Sequence, residues 1–550
     1  MPRHAPRAAL ATHEVSNQPP DLAGRDPWRA DPALREAALR EGGEWVEAPL
    51  AALGEAAGSE QVLEWGEAAN RHPPELAAFD RWGRRLDEVR FHPAYHALMD
   101  LAMRHRIHAA AWTAGQPGGH VLHAGLLALF SEAEQGTMCP ISMTYASVPT
   151  LRRQPEIAAL WVPKILDGAY DAPLRPVQDK AGVTVGMAMT EKQGGSDVRA
   201  NTTRALPDGY GAFRLTGHKW FCSAPMSDAF LTLAYAPGGL SCFLVPRVAP
   251  GGERNAIQLM RLKDKLGNRS NASAEIEYHG AQAALVGEEG RGVATILDMV
   301  HHTRLDTMAA TLGIMRMALA QAAHHAAHRR AFQRTLLDQP AMRAVVADLQ
   351  LEYEAAALTM RVARAFDGTD EAERALARLG VAVGKYWLTK RAANFAYECM
   401  ECLGGAGYIE ESILPRLYRE APLNAIWEGS GNVIALDALR TLGREPAALA
   451  AWRVEIEAAR GGDRRLDEAA AELLRALAAG KIPEEQARLV AERLALLLQA
   501  ALLVRHAPGA VADAFCATRV GGEWGRSFGT LPPGTDLDGI VARVGCGPSE

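Results

Sequence analysis

Ala188-Met189-Thr190-Glu191-Lys192-Gln193-Gly194-Gly195-Ser196-Asp197-Val198-Arg199-Ala200 stands where the texture of this 550-residue chain changes. From 184 to about 286 the sequence is rich in Gly, Thr and Ser, with short apolar runs at 212–215, 230–234, 241–245 and 274–278. Each run is bounded by turn residues, a pattern that predicts a small β domain, a barrel or a sandwich. Before it, apolar residues recur at three- and four-residue steps through 89–103 and 121–130, the period of a helix. After it that period returns at 293–332, 340–366 and 371–403, then again at 465–479 and 484–504. Helices, strands, helices and then more helices, with no βαβ alternation, predict an α+β multidomain chain. The expected divisions are an N-terminal extension over 1–45, a helical domain over 46–182 and a β domain over 183–290. A helical bundle over 291–442 and an extra helical domain over 443–550 complete them.

Composition bounds the function. Hydrophobic residues make up 48% and charged residues 23%, as in a soluble globular protein, and the net charge is −6. No global attraction to phosphate backbones follows from that balance, so nucleic-acid binding requires a local patch. Seven scattered cysteines (Cys139, Cys222, Cys242, Cys399, Cys402, Cys516, Cys546) suit a reducing compartment, not a disulfide framework. With no signal-peptide core and no run long enough for a bilayer, a cytoplasmic location is expected.

Four strings carry chemistry. In the 188–200 stretch Gly194 and Gly195 have no Cβ, so backbone N–H groups can approach an anion closely, and Thr190 and Ser196 offer hydroxyls. A plain hairpin explains the same residues. Gly217-His218-Lys219-Trp220-Phe221-Cys222-Ser223 reads as an amphipathic strand. Glu401-Cys402-Leu403-Gly404-Gly405-Ala406-Gly407-Tyr408 is a glycine-rich turn after a long helix. In Ile426-Trp427-Glu428-Gly429-Ser430-Gly431-Asn432 a carboxylate beside an indole is desolvated, which raises its pKa and strengthens it as a base. The plainer reading of Glu428 is a helix-start acid facing the dipole. Arg304 and Arg329 read as exposed helix arginines unless a motif claims them.

Taken together, these strings resemble the acyl-CoA dehydrogenase superfamily. That resemblance implies FAD, with Met189, Thr190, Gly195 and Ser196 lining it, and Phe221 and Ser223 at the flavin ring. It implies that Trp427, Gly429, Ser430 and Asn432 also border the cofactor, while Gly404 and Gly405 meet it across a subunit boundary. Glu428 falls on the position of the base that removes the α-proton of an acyl thioester, the flavin accepting the hydride. Arg329, three residues before Phe332, falls on an Arg-x-x-Phe-Gly element that approaches the FAD diphosphate of a neighbouring subunit, but here Gln333 replaces the glycine. Arg304 falls on an arginine of the acyl-CoA site.

Further strings are similar to the alkylation-response, AidB-type branch of that superfamily: Asn17-Gln18-Pro19, Pro73-Pro74-Glu75-Leu76, the run 84–93, Cys139-Pro140-Ile141-Ser142-Met143-Thr144 and the run 262–273. The branch implies a homotetramer, non-covalent FAD, weak dehydrogenation of a small acyl-CoA or action on an alkylating agent, and duplex DNA held by the C-terminal helices. Arg440 and Arg444, one helical turn apart, stand at basic positions of that branch. Yet residues 443–550 hold 13 Lys+Arg against 15 Asp+Glu, and a solvated arginine face explains them equally well. Three functions therefore compete: a DNA-protecting flavoprotein, a metabolic acyl-CoA dehydrogenase for branched or bulky substrates, and a DNA-binding protein with a structural flavin. Cys399 and Cys402 lack zinc-site partners and read as packing residues, and His301, His302, His324, His325 and His328 read as helix-surface histidines, so no metal is expected.

Overall fold

The computed structural model describes residues 6–209, 211–480 and 482–545, so Cys546 lies outside them. Nine strands lie in two sheets ahead of the long helices: β1 (Glu75–Phe79) and β2 (Arg85–Arg90), then β3 (Val185–Ala188), β4 (Arg204–Pro207), β5 (Ala212–Ser223), β6 (Ala229–Ala236), β7 (Gly239–Pro246), β8 (Ile257–Leu262) and β9 (Ser273–Val286). The four apolar runs of the sequence fall inside β5, β6, β7 and β9. Pairings β4–β5, β5–β9, β9–β7, β7–β6 and β6–β4 close a ring, which makes the β domain a barrel. Alternate side chains of these strands fill it, among them Phe213, Leu215, Phe243 and Tyr278. β3 extends the sheet by pairing parallel with β6, and this delivers the chain directly into the 188–200 loop.

The first departure from the sequence reading is the β1–β2 hairpin, inside a region expected to be helical throughout. Its stabilisation is tertiary. Leu76 and Val89 pack on the barrel core, and the Asp87 carboxylate accepts from the Leu259 N–H at 2.8 Å while pairing with Arg85 at 2.6 Å. No local helix signal competes there, and Gly83 turns the hairpin with φ of 82°.

Helices flank the barrel on both sides in sequence. On the N-terminal side, Gly119–Ala133 and Met138–Leu151 pack against a 37-residue helix, Gly292–His328. The bundle is that helix with Pro340–Ala356, Leu358–Phe366, Glu371–Cys402 and Gly431–Arg444. The expected 340–366 helix is split at Ala357. The C-terminal helices Pro446–Glu457, Arg464–Ala478 and Ala487–His506 share one continuous apolar core with the bundle. Buried polar ties reinforce the seam: Gln499 donates to the Ala355 carbonyl at 3.0 Å, and Arg519 pairs with Asp348 and Glu352 at 2.5 and 3.1 Å. No helix among the described residues is long and apolar enough to cross a membrane.

Candidate active site

The 188–200 loop is anchored at its root by an ion pair that the sequence does not announce. Lys219 of β5 and Glu191 are both fully buried, 2.9 Å apart, and Lys219 also donates to the Leu233 carbonyl. The Glu191 carboxylate accepts from Thr202 and Thr203 besides. Burial pushes the Glu191 carboxyl up, but Lys219 and the Thr203 hydroxyl outweigh it and hold it at about 2; burial lowers the Lys219 ammonium to about 8 against the pull of Glu191. Above this anchor the Trp220 N–H donates to the Thr190 carbonyl at 2.7 Å, and Asn201 to the Met189 carbonyl at 3.0 Å. Gly195 lies against Thr190, where an added Cβ would come within 2.7 Å of the Thr190 hydroxyl oxygen. The loop is thus held at its start and leaves Ser196 exposed.

Glu428 arrives from the helical bundle, against the Gly292–His328 helix. Its φ is 58° and that of Gly429 is 104°, so two left-handed residues turn the chain between the short helix Ala421–Ala425 and the Gly431–Arg444 helix. A non-glycine residue pays conformational strain there, as happens at functional positions. Three side chains hold the turn. Thr303 donates to the Glu428 carboxylate at 2.7 Å, Arg304 to the Glu428 carbonyl at 3.1 Å, and Lys385 to the Gly429 carbonyl at 2.8 Å. Burial raises the Glu428 pKa, opposed by the Thr303 hydroxyl and by Lys385 and Arg304. Burial also lowers the Lys385 ammonium to about 7. Trp427 is fixed by its own chain, its indole N–H donating to Asn424 at 3.0 Å.

The two segments converge. Met189 and Trp427 are both partly exposed and pack on one apolar cluster that includes Tyr145, Val148 and Leu231. Cys139 belongs to the same cluster; burial pushes its thiol up to about 12, opposed by Lys265 and by a hydrogen bond to Ser223, while the nearby Glu428 carboxylate adds to the rise. Ser223 is half-buried, and Phe221 beside it is 46% exposed. Met189 and Trp427 thus share an apolar surface of the kind on which a flat ring such as the isoalloxazine of FAD would lie. Gly429 is half-buried, and Ser430 and Asn432 are exposed at the start of the Gly431–Arg444 helix.

Other expected residues lie elsewhere in the chain. Arg304 is buried, and its guanidinium is taken up by Asp437 at 2.7 Å and the Glu428 carbonyl, so it holds the base in place instead of facing a substrate. Arg378 shares Asp437 with it at 2.7 Å. Arg329 lies 25 residues along the same helix from Arg304, about 38 Å away at 1.5 Å per residue. Gly404 and Gly405 are exposed beyond the end of the Glu371–Cys402 helix, about 26 Å along it from Lys385. None of these three reaches Glu428 within one chain. At Gln333 the turn forms without the glycine, at the cost of a left-handed non-glycine residue. Phe332 and Gln333 have φ of 50° and 68° and form the two-residue turn between β10 (Arg330–Ala331) and β11 (Arg334–Thr335). Arg440 and Arg444 are exposed at the end of the Gly431–Arg444 helix. Seven of the arginines in 443–550 pair with carboxylates: Arg460, Arg464, Arg465, Arg493, Arg505, Arg519 and Arg543.

Sequence reading missed Thr303, Lys385, Glu191 and Lys219, since only the fold brings them to the motifs. It also misplaced His301 and His302. They pack among Trp112, His120, Tyr145 and Phe366, ring centroids 4.6–5.6 Å apart, instead of facing solvent, and burial pushes His301 down to about 3.

Residues 17–172 match the adaptive response protein AidB N-terminal domain. Residues 186–281 match the acyl-CoA dehydrogenase middle domain, and 290–443 the acyl-CoA dehydrogenase C-terminal domain. Among curated relatives, the putative acyl-CoA dehydrogenase AidB of Escherichia coli strain K12 is 45% identical over 509 residues, covering 92% of this chain and 94% of that protein. Acyl-CoA dehydrogenase family member 11 of Caenorhabditis elegans is 32% identical over 489 residues, covering 85% and 78%. The solved structure of Caenorhabditis elegans ACDH-11 in complex with C11-CoA superposes with a TM-score of 0.82 at 26% identity, over 98% of this chain and 93% of that one.

Proposed function

This chain belongs to the acyl-CoA dehydrogenase family, in its AidB-type branch, and we propose that Glu428 is the base that takes the α-proton of an acyl-CoA thioester. It is an FAD-dependent oxidoreductase of that family. One arrangement carries the reading of Glu428: a carboxylate raised by burial, fixed by the Thr303 hydroxyl, and standing beside the apolar floor of Met189 and Trp427. Bound there, FAD supplies the acceptor for the hydride that leaves the β-carbon. The chain's own residues do the rest. Met189, Thr190, Gly195, Ser196, Phe221, Ser223, Trp427, Gly429, Ser430 and Asn432 would hold the cofactor. Arg304 and Lys385 fix the successive carbonyls of Glu428 and Gly429, so the carboxylate keeps its aim while it receives the proton.

The remoteness from Glu428, within one chain, of the half-buried Arg329 and the exposed Gly404 and Gly405 supports a homotetramer in which they meet a neighbour's cofactor. The C11-CoA held by the ACDH-11 structure supports an acyl-CoA as the ligand class. Anaerobic addition of isovaleryl-CoA to the FAD-loaded protein tests the core of this. Bleaching of the flavin band is expected, with Glu428→Gln slower by at least about a hundredfold. Equal rates would refute the role of Glu428.

A second reading, a cytoplasmic alkylation-response protein that binds duplex DNA and shields it, rests on the AidB relationship and on Arg440 and Arg444. These two stay exposed, Arg440 with only a loose 3.9 Å contact to Asp437. Seven other arginines of the C-terminal helices are taken up by carboxylates, which leaves Arg440 and Arg444 among the exposed arginines open to a phosphate. Affinity for a duplex oligonucleotide measured against salt tests it. The double change Arg440→Ala/Arg444→Ala is expected to reduce the log–log salt slope by roughly two.

A further inference from the structure

The N-terminal extension contributes one residue whose side-chain amide and backbone carbonyl are both spent just past the far end of the long helix. Asn17 has φ of 57°, a left-handed conformation that Asn tolerates better than most residues. Its side-chain amide donates to the Arg330 carbonyl at 2.9 Å, and its Oδ1 accepts from the Arg330 N–H at 2.8 Å. Both backbone groups of Arg330 are thereby paired as they would be in a sheet. The Asn17 carbonyl accepts from the Arg329 guanidinium at 2.7 Å. Three residues on, the Pro20 carbonyl accepts from the His324 ring at 2.8 Å, so the strap is fastened at two points. What it fastens is a two-residue turn whose tip, Phe332, is 92% exposed. A short isolated hairpin is marginal in water by itself, so its shape here depends on an outside partner.

We infer that Asn17 is a positioning residue: by clasping Arg330 and the Arg329 guanidinium, the 17–20 strap aims the Arg329–Phe332 hairpin at an anionic group presented by a second copy of the chain. This rests on the proposed reading of Arg329, which makes that group the diphosphate of the neighbour's FAD. The three bonds act together. The amide pair fixes the backbone that carries the turn, and the carbonyl restrains the guanidinium to one rotamer. A pre-ordered arginine loses less conformational entropy when it meets its anion, so its affinity is higher with no added contact. The strap is therefore part of the cofactor machinery although it lies outside the three matched domains' glycine and serine motifs.

The test uses full-length apoprotein and follows FAD binding by quenching of flavin fluorescence, with oligomeric state read in parallel by sedimentation. Asn17→Ala is expected to weaken FAD binding about tenfold, the loss of two neutral hydrogen bonds. Asn17→Asp keeps the acceptor for the Arg330 N–H and is expected to lose less. Arg329→Ala is expected to weaken binding at least as much, and the double variant Asn17→Ala/Arg329→Ala no more than Arg329→Ala alone, because Asn17 acts through the arginine. Additive losses would show a merely structural strap and overturn the inference. Wild-type affinity in Asn17→Ala, with Arg329→Ala impaired, would overturn it while sparing the reading of Arg329. Wild-type affinity in Arg329→Ala would sink that reading and the inference together.

Discussion

Replacing Thr303 by Val removes one hydroxyl and keeps the shape of the side chain, so it isolates the bond that Thr303 makes to Glu428. The donor lies 2.7 Å from the carboxylate oxygen, a charge-assisted contact. Such bonds contribute about 1.5–3 kcal/mol. Here the single proton is shared with the Val300 carbonyl at 3.1 Å, and Glu428 is only half-buried, so the lower end applies. At 1.36 kcal/mol per pKa unit, about 1.5 kcal/mol moves the carboxyl by roughly one unit. The direction is upward: burial already raises the Glu428 pKa, the Thr303 hydroxyl opposes that rise, and removing the hydroxyl releases it. A base works only when deprotonated, so the rate rises with pH through this pKa, and the variant's limb lies at higher pH. The assay is single-turnover flavin bleaching by an acyl-CoA between pH 5 and 9. Lys385, lowered to about 7, titrates in the same window; its neutralisation with rising pH withdraws a positive charge from Glu428 and broadens the limb. A profile that stays in place, or moves to lower pH, would refute the claim that Thr303 stabilises the ionised base.

Three further outcomes are expected. Glu428→Gly removes the base and also the strain of a left-handed non-glycine residue, so bleaching is lost while the thermal midpoint rises, the gain being about 1 kcal/mol. Lys219→Met leaves Glu191 charged and enclosed and lowers stability by about 3–5 kcal/mol, whereas Lys219→Met with Glu191→Gln recovers most of it, as thermal denaturation would register. Arg519→Leu takes the cation from Asp348, which is left with the N–H donors of Trp524 and Gly529, while Glu352 keeps Arg391, so the loss is smaller, about 1–3 kcal/mol; an unchanged midpoint would mean that water reaches the seam.

How much of this was legible in the sequence follows from how far apart the interacting residues are. The barrel strands were visible because each is a short apolar run bounded by turn residues: β6 and β7 are buried almost throughout, with alternate side chains in two cores, while β5 alternates buried and open positions in its first half. The glycine-serine loop and the Trp427–Gly429 turn were visible because their chemistry sits in consecutive positions. Thr303 and Lys385 were not, although they grip the same turn. Each is one ordinary residue on a long helix, 125 and 44 positions from its partner, and nothing local distinguishes it from its neighbours. The β1–β2 hairpin and the Glu191–Lys219 pair stayed hidden for the same reason, since their energy comes from burial against elements supplied elsewhere. Arg304 shows the converse. Its position in a motif invited a direct role at the substrate, yet the nearest acid in space, Asp437, is 133 residues on and claims the guanidinium first. A motif therefore locates the reacting groups, while the residues that tune them are chosen by the fold, and it is at Thr303, Lys385 and Asp437 that chains sharing the same motifs would diverge in rate and pH dependence.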